Sequence, residues 1–334
     1  MKEIIINKNE AGQRLDKLLA KHLKEAPKSF LYKMMRKKNI TLNGRKATGN
    51  ELTVQGDVVR LFFSDETYEK FSGTAKATAR QKVDVRVDPL PKEWIIYEDD
   101  HILVINKPSG ILSQKSRLED ISVNEQMIAY LLQKGDITKK ELQTFHPSVC
   151  NRLDRNTSGL LIAGKSLVGL QTMAQILQNR SLHKYYLAVV HGVLKEKQHL
   201  EGYLSKDPMK NCVQIYADEQ SAKKADSQAK AISTEYTPLQ NGKRTTLLEI
   251  LLLTGRSHQI RAHLASTGHS IVGDVKYGGT KKNGYYRKEY DAEHQLLHAF
   301  RMEFPQIVGE LSYLSGKCLT APVPELFEKI IREN

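Results

Sequence analysis

Only three cysteines occur in 334 residues (Cys150, Cys212 and Cys318), and they lie far apart. Without a CxxC pair they support neither a zinc site nor a disulfide framework. A reducing, cytoplasmic setting is the expectation that follows. Nor does the chain hold a continuous apolar run of about eighteen residues, so no transmembrane helix is expected. The opening MKEIIINKNEAGQRLD lacks the apolar stretch and small-residue cleavage site of a secretory leader. Acidic charge is in short supply too: 38 Asp and Glu stand against 51 Lys and Arg, a net charge of +13. What is present begins with an ordinary 40% apolar content, enough to bury a real core. The basic excess is uneven. Residues 1–62 carry 14 Lys and Arg against 6 Asp and Glu, a net +8 of the +13 total. A concentrated basic segment suits a phosphate backbone, although a merely solvated surface would explain the charge equally well.

The residue order predicts three parts: a small α+β unit over 1–63, a linker over 64–92 and a larger domain over 93–334. In the first, Leu15, Leu18, Leu19, His22 and Leu23 recur at helical spacing, with Lys17, Lys21 and Lys24 on the other face. Pro27 interrupts, and Ser29 is placed to cap a second helix that turns Leu31, Met34 and Met35 inward. That helix ends in Arg36, Lys37 and Lys38. In ITLNGRKA, Asn43-Gly44 between short strands signals a type I′ hairpin, and VVRLFF closes the unit. Residues 64–92 are polar and without periodicity, as a linker would be. WIIY and ILVI then flank Glu98-Asp99-Asp100, which reads as a hairpin turn and not as paired catalytic carboxylates. A helix around Leu167 to Asn179 precedes the strand-like YYLAVVHG. Lys206 to Ser233 reads as an exposed polar excursion, and TTLLEILLL as a buried strand. The expected class is α+β, with a mixed, largely antiparallel sheet and helices packed on it, because strands outnumber crossovers of βαβ length.

Two incompatible motifs overlap in NRLDRNTSGLLIAGKS. GLLIAGKS satisfies the phosphate-loop pattern GxxxxGK[ST], which requires a strand, then a loop of amide donors, then a helix. Here the four intervening residues, Leu160 to Ala163, are themselves strand-like, and polar turn residues come before Gly159. The other reading puts Asp154 on a turn ahead of that strand, with Arg152 and Arg155 favouring its ionised form. Asn156, Thr157 and Ser158 could rigidify the turn. Spacing alone equally allows a surface Asp in an Asx-type turn.

NRLDRNTSGLLI resembles the HRLDxxTSG signature of the RluA-class pseudouridine synthases. KYYLAVVHG and LTGRSHQIRAHLASTGHSIVGDVKYG resemble the second and third motifs of that family, in the same order. The likeness runs from about Trp94 to the C-terminus. It implies that Asp154 is the catalytic residue, Tyr186 the active-site tyrosine and Arg261 the basic partner of Asp154. Two departures stand out: Asn151 replaces the usual leading His, and ILSQK follows the NKPSG element. RLDKLL, the basic second helix, ITLNGR and GDVV resemble an S-four-like RNA-binding module, which would set Arg36, Lys37, Lys38 and Arg45 against RNA phosphates. Arg152 would hold the extruded nucleotide or fill its gap.

An isomerisation of uridine demands no redox cofactor, nucleotide or metal, so no cofactor is expected. The implied partner is RNA, with large-subunit ribosomal RNA preferred and transfer RNA the alternative. A monomer without membrane attachment is expected. Competing functions are a non-catalytic RNA-binding or ribosome-assembly protein, a nucleotide hydrolase and a glycosidase that stops after bond cleavage.

Overall fold

The computed structural model describes residues 1–72, 87–207 and 212–334. Its N-terminal part comprises β1 (Lys2–Ile5), α1 (Leu15–His22), α2 (Lys28–Arg36), β2 (Ile40–Leu42), β3 (Arg45–Lys46), β4 (Val58–Leu61) and α3 (Asp65–Ser72). The four strands form an antiparallel sheet in the order β1-β4-β2-β3. Leu15, Leu18 and Leu19 from the first helix, Leu23 just after it and Leu31 and Met35 from the second pack in its core. The predicted hairpin turn is present: Asn43 and Gly44 have φ of 50° and 74°, the left-handed values that a type I′ turn needs at both positions. One expectation is corrected. Helix α2 begins at Lys28 with Pro27 at its N-cap, so Ser29 lies inside the first turn and does not cap it. The fixed φ of proline suits a helix start, and no hydroxyl cap is used.

The expected linker is also more structured at its ends than polarity suggested. Residues 65–72 are helical, and the Phe71 ring lies 4.4 Å from that of Phe30. Leu90 is buried and its amide donates to the Gln126 carbonyl at 2.9 Å. Residues 73–86 of that stretch lie outside the described residues.

The larger part continues with β5 (Ile95–Glu98), β6 (Ile102–Lys107), α4 (Val123–Lys134), β7 (Ser148–Val149), β8 (Ser158–Gly164), α5 (Leu167–Gln178) and β9 (His183–His191). It proceeds through β10 (Gln198–Asp207), β11 (Cys212–Tyr216), α6 (Glu219–Ala225), β12 (Lys230–Asn241) and β13 (Thr245–Leu252). It ends with α7 (Gln259–Ser266), α8 (Val275–Gly278), α9 (Thr280–Tyr290), β14 (Leu297–Glu303), β15 (Cys318–Thr320) and α10 (Glu325–Glu333). Among the described residues the sheet runs β11-β10-β12-β13-β9-β14-β8-β6-β5, with β15 on β14 and β7 on β8. Among the described strands only the β14–β8 pairing is parallel, so the fold is the mixed, largely antiparallel α+β arrangement expected.

The central strands are buried on both faces, which explains their unbroken apolar runs. Leu103 and Ile105 of β6, with Leu161 and Ala163 of β8, pack in one core beside Val123 and Met127 of α4. Their alternates Ile102, Val104, Leu160 and Ile162 pack in a second core with Met173 and Ile176 of α5. Asp99 Oδ1 accepts the amides of His101 and Ile102 at 2.7 and 2.8 Å, so the acidic trio builds the β5–β6 turn as expected.

The predicted excursion over Lys206 to Ser233 is mostly exposed, as expected, but it is built of regular structure. Residues 208–211 fall outside the described residues, but β10 extends to Asp207, β11 pairs with it, and α6 and the start of β12 follow. Leu204, Val213 and Ile232 pack with Ala262 in a small core. An edge sheet buries one face only, so alternate polar residues concealed the strands.

Candidate active site

Asp154 lies on the tight turn that enters β8. Two neighbouring segments hold this turn. Leu153 donates its amide to Ser113 Oγ and accepts the Ser113 hydroxyl at its carbonyl, both at 3.0 Å. Gly110 donates its amide to the Arg155 carbonyl at 3.0 Å, and the Thr157 amide closes on the Asp154 carbonyl at the same distance. The side chains of Asn156 and Ser158 are drawn elsewhere, to His294 and His298. Asn151, at the position usually held by His, accepts the Ile162 amide at 2.8 Å and so serves the backbone of β8.

Lys107 anchors the turn from below. Although fully buried, its Nζ donates to the carbonyls of Pro108, Ile111 and Arg155 at 2.8–2.9 Å, using all three ammonium hydrogens. Burial pulls its pKa down to about 7, and the charge of Asp154 opposes that pull.

Arg261 arrives from α7. Gln259, the first residue of that helix, accepts from Thr254 Oγ1 and donates to the Ser233 carbonyl and Thr234 Oγ1, which fixes the helix on β12. The Arg261 guanidinium donates through Nη1 to Asp154 Oδ2 at 3.0 Å. Through Nε and Nη2 it grips Asp274 at 2.7 and 2.9 Å. Burial works to lower the Arg261 pKa, but the two carboxylates outweigh it and the net shift is upward. Asp274 also caps α8 by accepting the amides of Lys276 and Tyr277.

His258, the residue before α7, is left-handed at φ 56°, a conformation that costs energy outside glycine. Its Nδ1 lies 2.8 Å from the Tyr277 hydroxyl and its Nε2 lies 3.9 Å from Asp154 Oδ2. Burial lowers its pKa against the pull of the Asp154 charge.

Tyr186 is buried on β9, in register with Ala299 of β14, which in turn is in register with Gly159 of β8. One row across three strands therefore sets the Tyr186 backbone in line with the start of β8. Burial raises the pKa of the phenol, and the Asp154 charge raises it further. The carboxylate and the guanidinium, drawn from distant parts of the chain, thus meet directly, and the tyrosine is close enough to feel the charge of the carboxylate. Asp154 itself is 26% exposed, which leaves it accessible from the surface.

The chain belongs to the RNA pseudouridylate synthase family. It matches the family described as RNA pseudouridylate synthase over residues 101–266. It is 30% identical over 306 residues to ribosomal large subunit pseudouridine synthase C of Escherichia coli (strain K12), covering 91% of this chain and 88% of that protein. The protein of the same name from Vibrio vulnificus (strain CMCP6) is 29% identical over 329 residues, covering 98% and 94%. A solved structure, human RNA pseudouridylate synthase domain containing 4, shares the fold with a TM-score of 0.53 at 19% identity, covering 71% of this chain and 90% of that one. This pseudouridine synthase is an isomerase that acts on RNA.

Of the other residues singled out in the sequence, Arg152 is exposed two positions before Asp154. Arg36, Lys37, Lys38 and Arg45 are exposed on the N-terminal unit. The phosphate-loop alternative fails on geometry, because Leu160 to Ala163 are buried in β8. Lys165, its nominal phosphate ligand, is instead paired to Glu98 and Asp136 at 2.6 and 2.7 Å. Sequence reasoning missed Lys107, His258, Asp274 and Tyr277. All four lie in segments already noted, but spacing does not reveal which buried charges face each other.

Proposed function

We propose that this pseudouridine synthase modifies uridines of large-subunit ribosomal RNA, with Asp154 as its catalytic carboxylate. Its similarity to proteins named for that activity on the large subunit supports the substrate. The observation that carries the residue assignment is the Asp154–Arg261 contact at 3.0 Å, with Asp274 holding the same guanidinium. Arg261 orients Asp154 through that hydrogen bond, while Tyr186 offers a ring against which the uracil stacks.

The reaction breaks the bond between N1 of the uracil and C1′ of the ribose. The base then turns, its C5 joins C1′ and gives up its proton, and N1 takes up a proton. Asp154 acts on the sugar, either as a nucleophile at C1′ or as a base. A uridine within a helix cannot reach this turn, so the substrate nucleotide is single-stranded or extruded. Exposed Arg152 is placed to hold it. Residues 1–63 bind RNA through Arg36, Lys37, Lys38 and Arg45, residues 64–92 connect, and residues 93–334 carry out catalysis.

The test is Asp154→Asn, an isosteric change. Pseudouridine formation is expected to fall by at least about 10⁴-fold, while RNA binding and the melting temperature stay close to wild type. Retained turnover in that variant would remove Asp154 from the chemistry. Pseudouridine mapping of total RNA from cells with and without the protein identifies the substrate, and changes confined to transfer RNA would overturn the ribosomal assignment.

A further inference from the structure

Arg261 is not the only nitrogen base that faces Asp154. His258, the residue before α7, turns its Nε2 toward Asp154 Oδ2 at 3.9 Å. That separation is too long for a direct hydrogen bond, yet one oxygen could bridge the two atoms at ordinary lengths. The two side chains are 16% and 26% exposed, so a substrate can reach the gap between them.

The protein holds the imidazole at this place against a cost. His258 has φ of 56°, in the left-handed region that residues other than glycine seldom adopt, and strain of this kind gathers at functional sites. The other ring nitrogen is already engaged. Nδ1 lies 2.8 Å from the Tyr277 hydroxyl, and the two rings meet edge to face. The Tyr277 oxygen accepts the Val213 amide at 3.1 Å, which leaves its own proton to be donated to Nδ1. Burial lowers the His258 pKa, the charges of Arg261 and Lys276 lower it further, and the pull of Asp154 does not reverse the shift. A neutral ring that accepts at Nδ1 carries its single proton on Nε2. The atom turned toward Asp154 is therefore an N–H donor.

A donor and a carboxylate acceptor 3.9 Å apart suit a ligand oxygen that accepts from one and donates to the other. A hydroxyl does both. Asp154 acts on the sugar at C1′, and the carbon next to C1′ carries the 2′-hydroxyl, the group by which a protein tells RNA from DNA. We infer that His258 and Asp154 together hold the 2′-hydroxyl of the target nucleotide, Nε2 donating to its oxygen and Oδ2 accepting its proton. His258 thereby selects ribose over deoxyribose at the target. The inference rests on the reading of Asp154 as the catalytic carboxylate.

The experiment uses two oligonucleotides that span the mapped target and differ only there, one with uridine and one with 2′-deoxyuridine. Affinity is measured beside turnover, so the preference is scored in binding if the deoxy target is not converted. Wild type is expected to favour the ribose target in kcat/KM by at least about tenfold, since the deoxy target leaves donor and carboxylate unmatched. His258→Asn removes Nε2, keeps an amide in place of Nδ1, and suits the left-handed backbone. On the ribose target this variant is expected to lose about tenfold, and on the deoxy target to stay within about twofold of wild type. Its melting temperature is expected to be unchanged. His258→Gln, whose amide reaches the position of Nε2, is expected to recover most of the ribose preference. A preference in His258→Asn equal to that of wild type, or a wild type with none, would overturn the inference. The active-site reading is scored separately: turnover of the ribose target by Asp154→Asn would remove it, whatever His258 does.

Discussion

Arg261 divides its guanidinium between two carboxylates, and the two contacts are not equivalent. Asp274 takes two of its N–H groups and is itself almost wholly buried, whereas Asp154 takes one and remains partly open to solvent. The bidentate partner fixes the plane of the guanidinium and leaves Nη1 pointing at Asp154. Removing that partner strands a buried cation. Asp274→Asn is therefore expected to lower the unfolding free energy by about 3 kcal/mol, read from the denaturant midpoint, and to reduce turnover as well. An unchanged midpoint would show that Arg261 needs no second carboxylate. Asp154, Tyr186 and Arg261 were legible in the sequence because each sits in an ordered motif. Asp274 stands in the third of those motifs, yet nothing along the chain says that it faces a guanidinium 13 residues earlier.

Strand β8 shows how an element places a functional group. Its first residues pair in parallel with β14, and at Gly159 the two backbones come very close. A Cβ added there would stand 2.2 Å from the Ala299 carbonyl oxygen, and the φ of +104° strains any other residue. Gly159→Ala is expected to cost more than about 2 kcal/mol and to depress activity, because the Asp154 turn would be displaced with the strand. Gly135→Ala is the control: its φ is +86° but nothing lies within 4 Å of the added Cβ, so only the strain of about 1 kcal/mol remains. Thermal melts of the two variants separate the effects, and equal losses would refute the crowding argument. The strands at the sheet's centre were readable as apolar runs because both faces are buried. The end of β10, strand β11 and the start of β12 were not, since Leu204, Val213 and Ile232 are spaced among polar residues and find their core only when Ala262 of α7 closes over them.

For the whole molecule, the uneven charge is the property with measurable consequences. Arg36, Lys37, Lys38 and Arg45 are exposed, so replacing all four with Gln leaves the core of the N-terminal unit untouched. RNA binding is expected to weaken across sequences, and the slope of log affinity against log salt is expected to flatten by about 3, the counterion release of four lost phosphate contacts. A titration of binding at several salt concentrations checks this, and an unchanged slope would remove these residues from the interface. Over the larger part, the apolar runs of β6 and β8, the turn between β5 and β6 and the excess of strands over βαβ-length crossovers were enough to anticipate a mixed sheet. Those signals are local, set by side-chain period and turn chemistry within a few residues. The pairing of Asp154 with Arg261, the burial of Lys107 under the turn and the approach of His258 to Asp154 depend instead on segments more than a hundred residues apart in places. Sequence determined which residues could do chemistry. Tertiary structure alone decided which charges stand within reach of one another, because electrostatic and hydrogen-bond energies depend on distances through space that no spacing along a chain encodes.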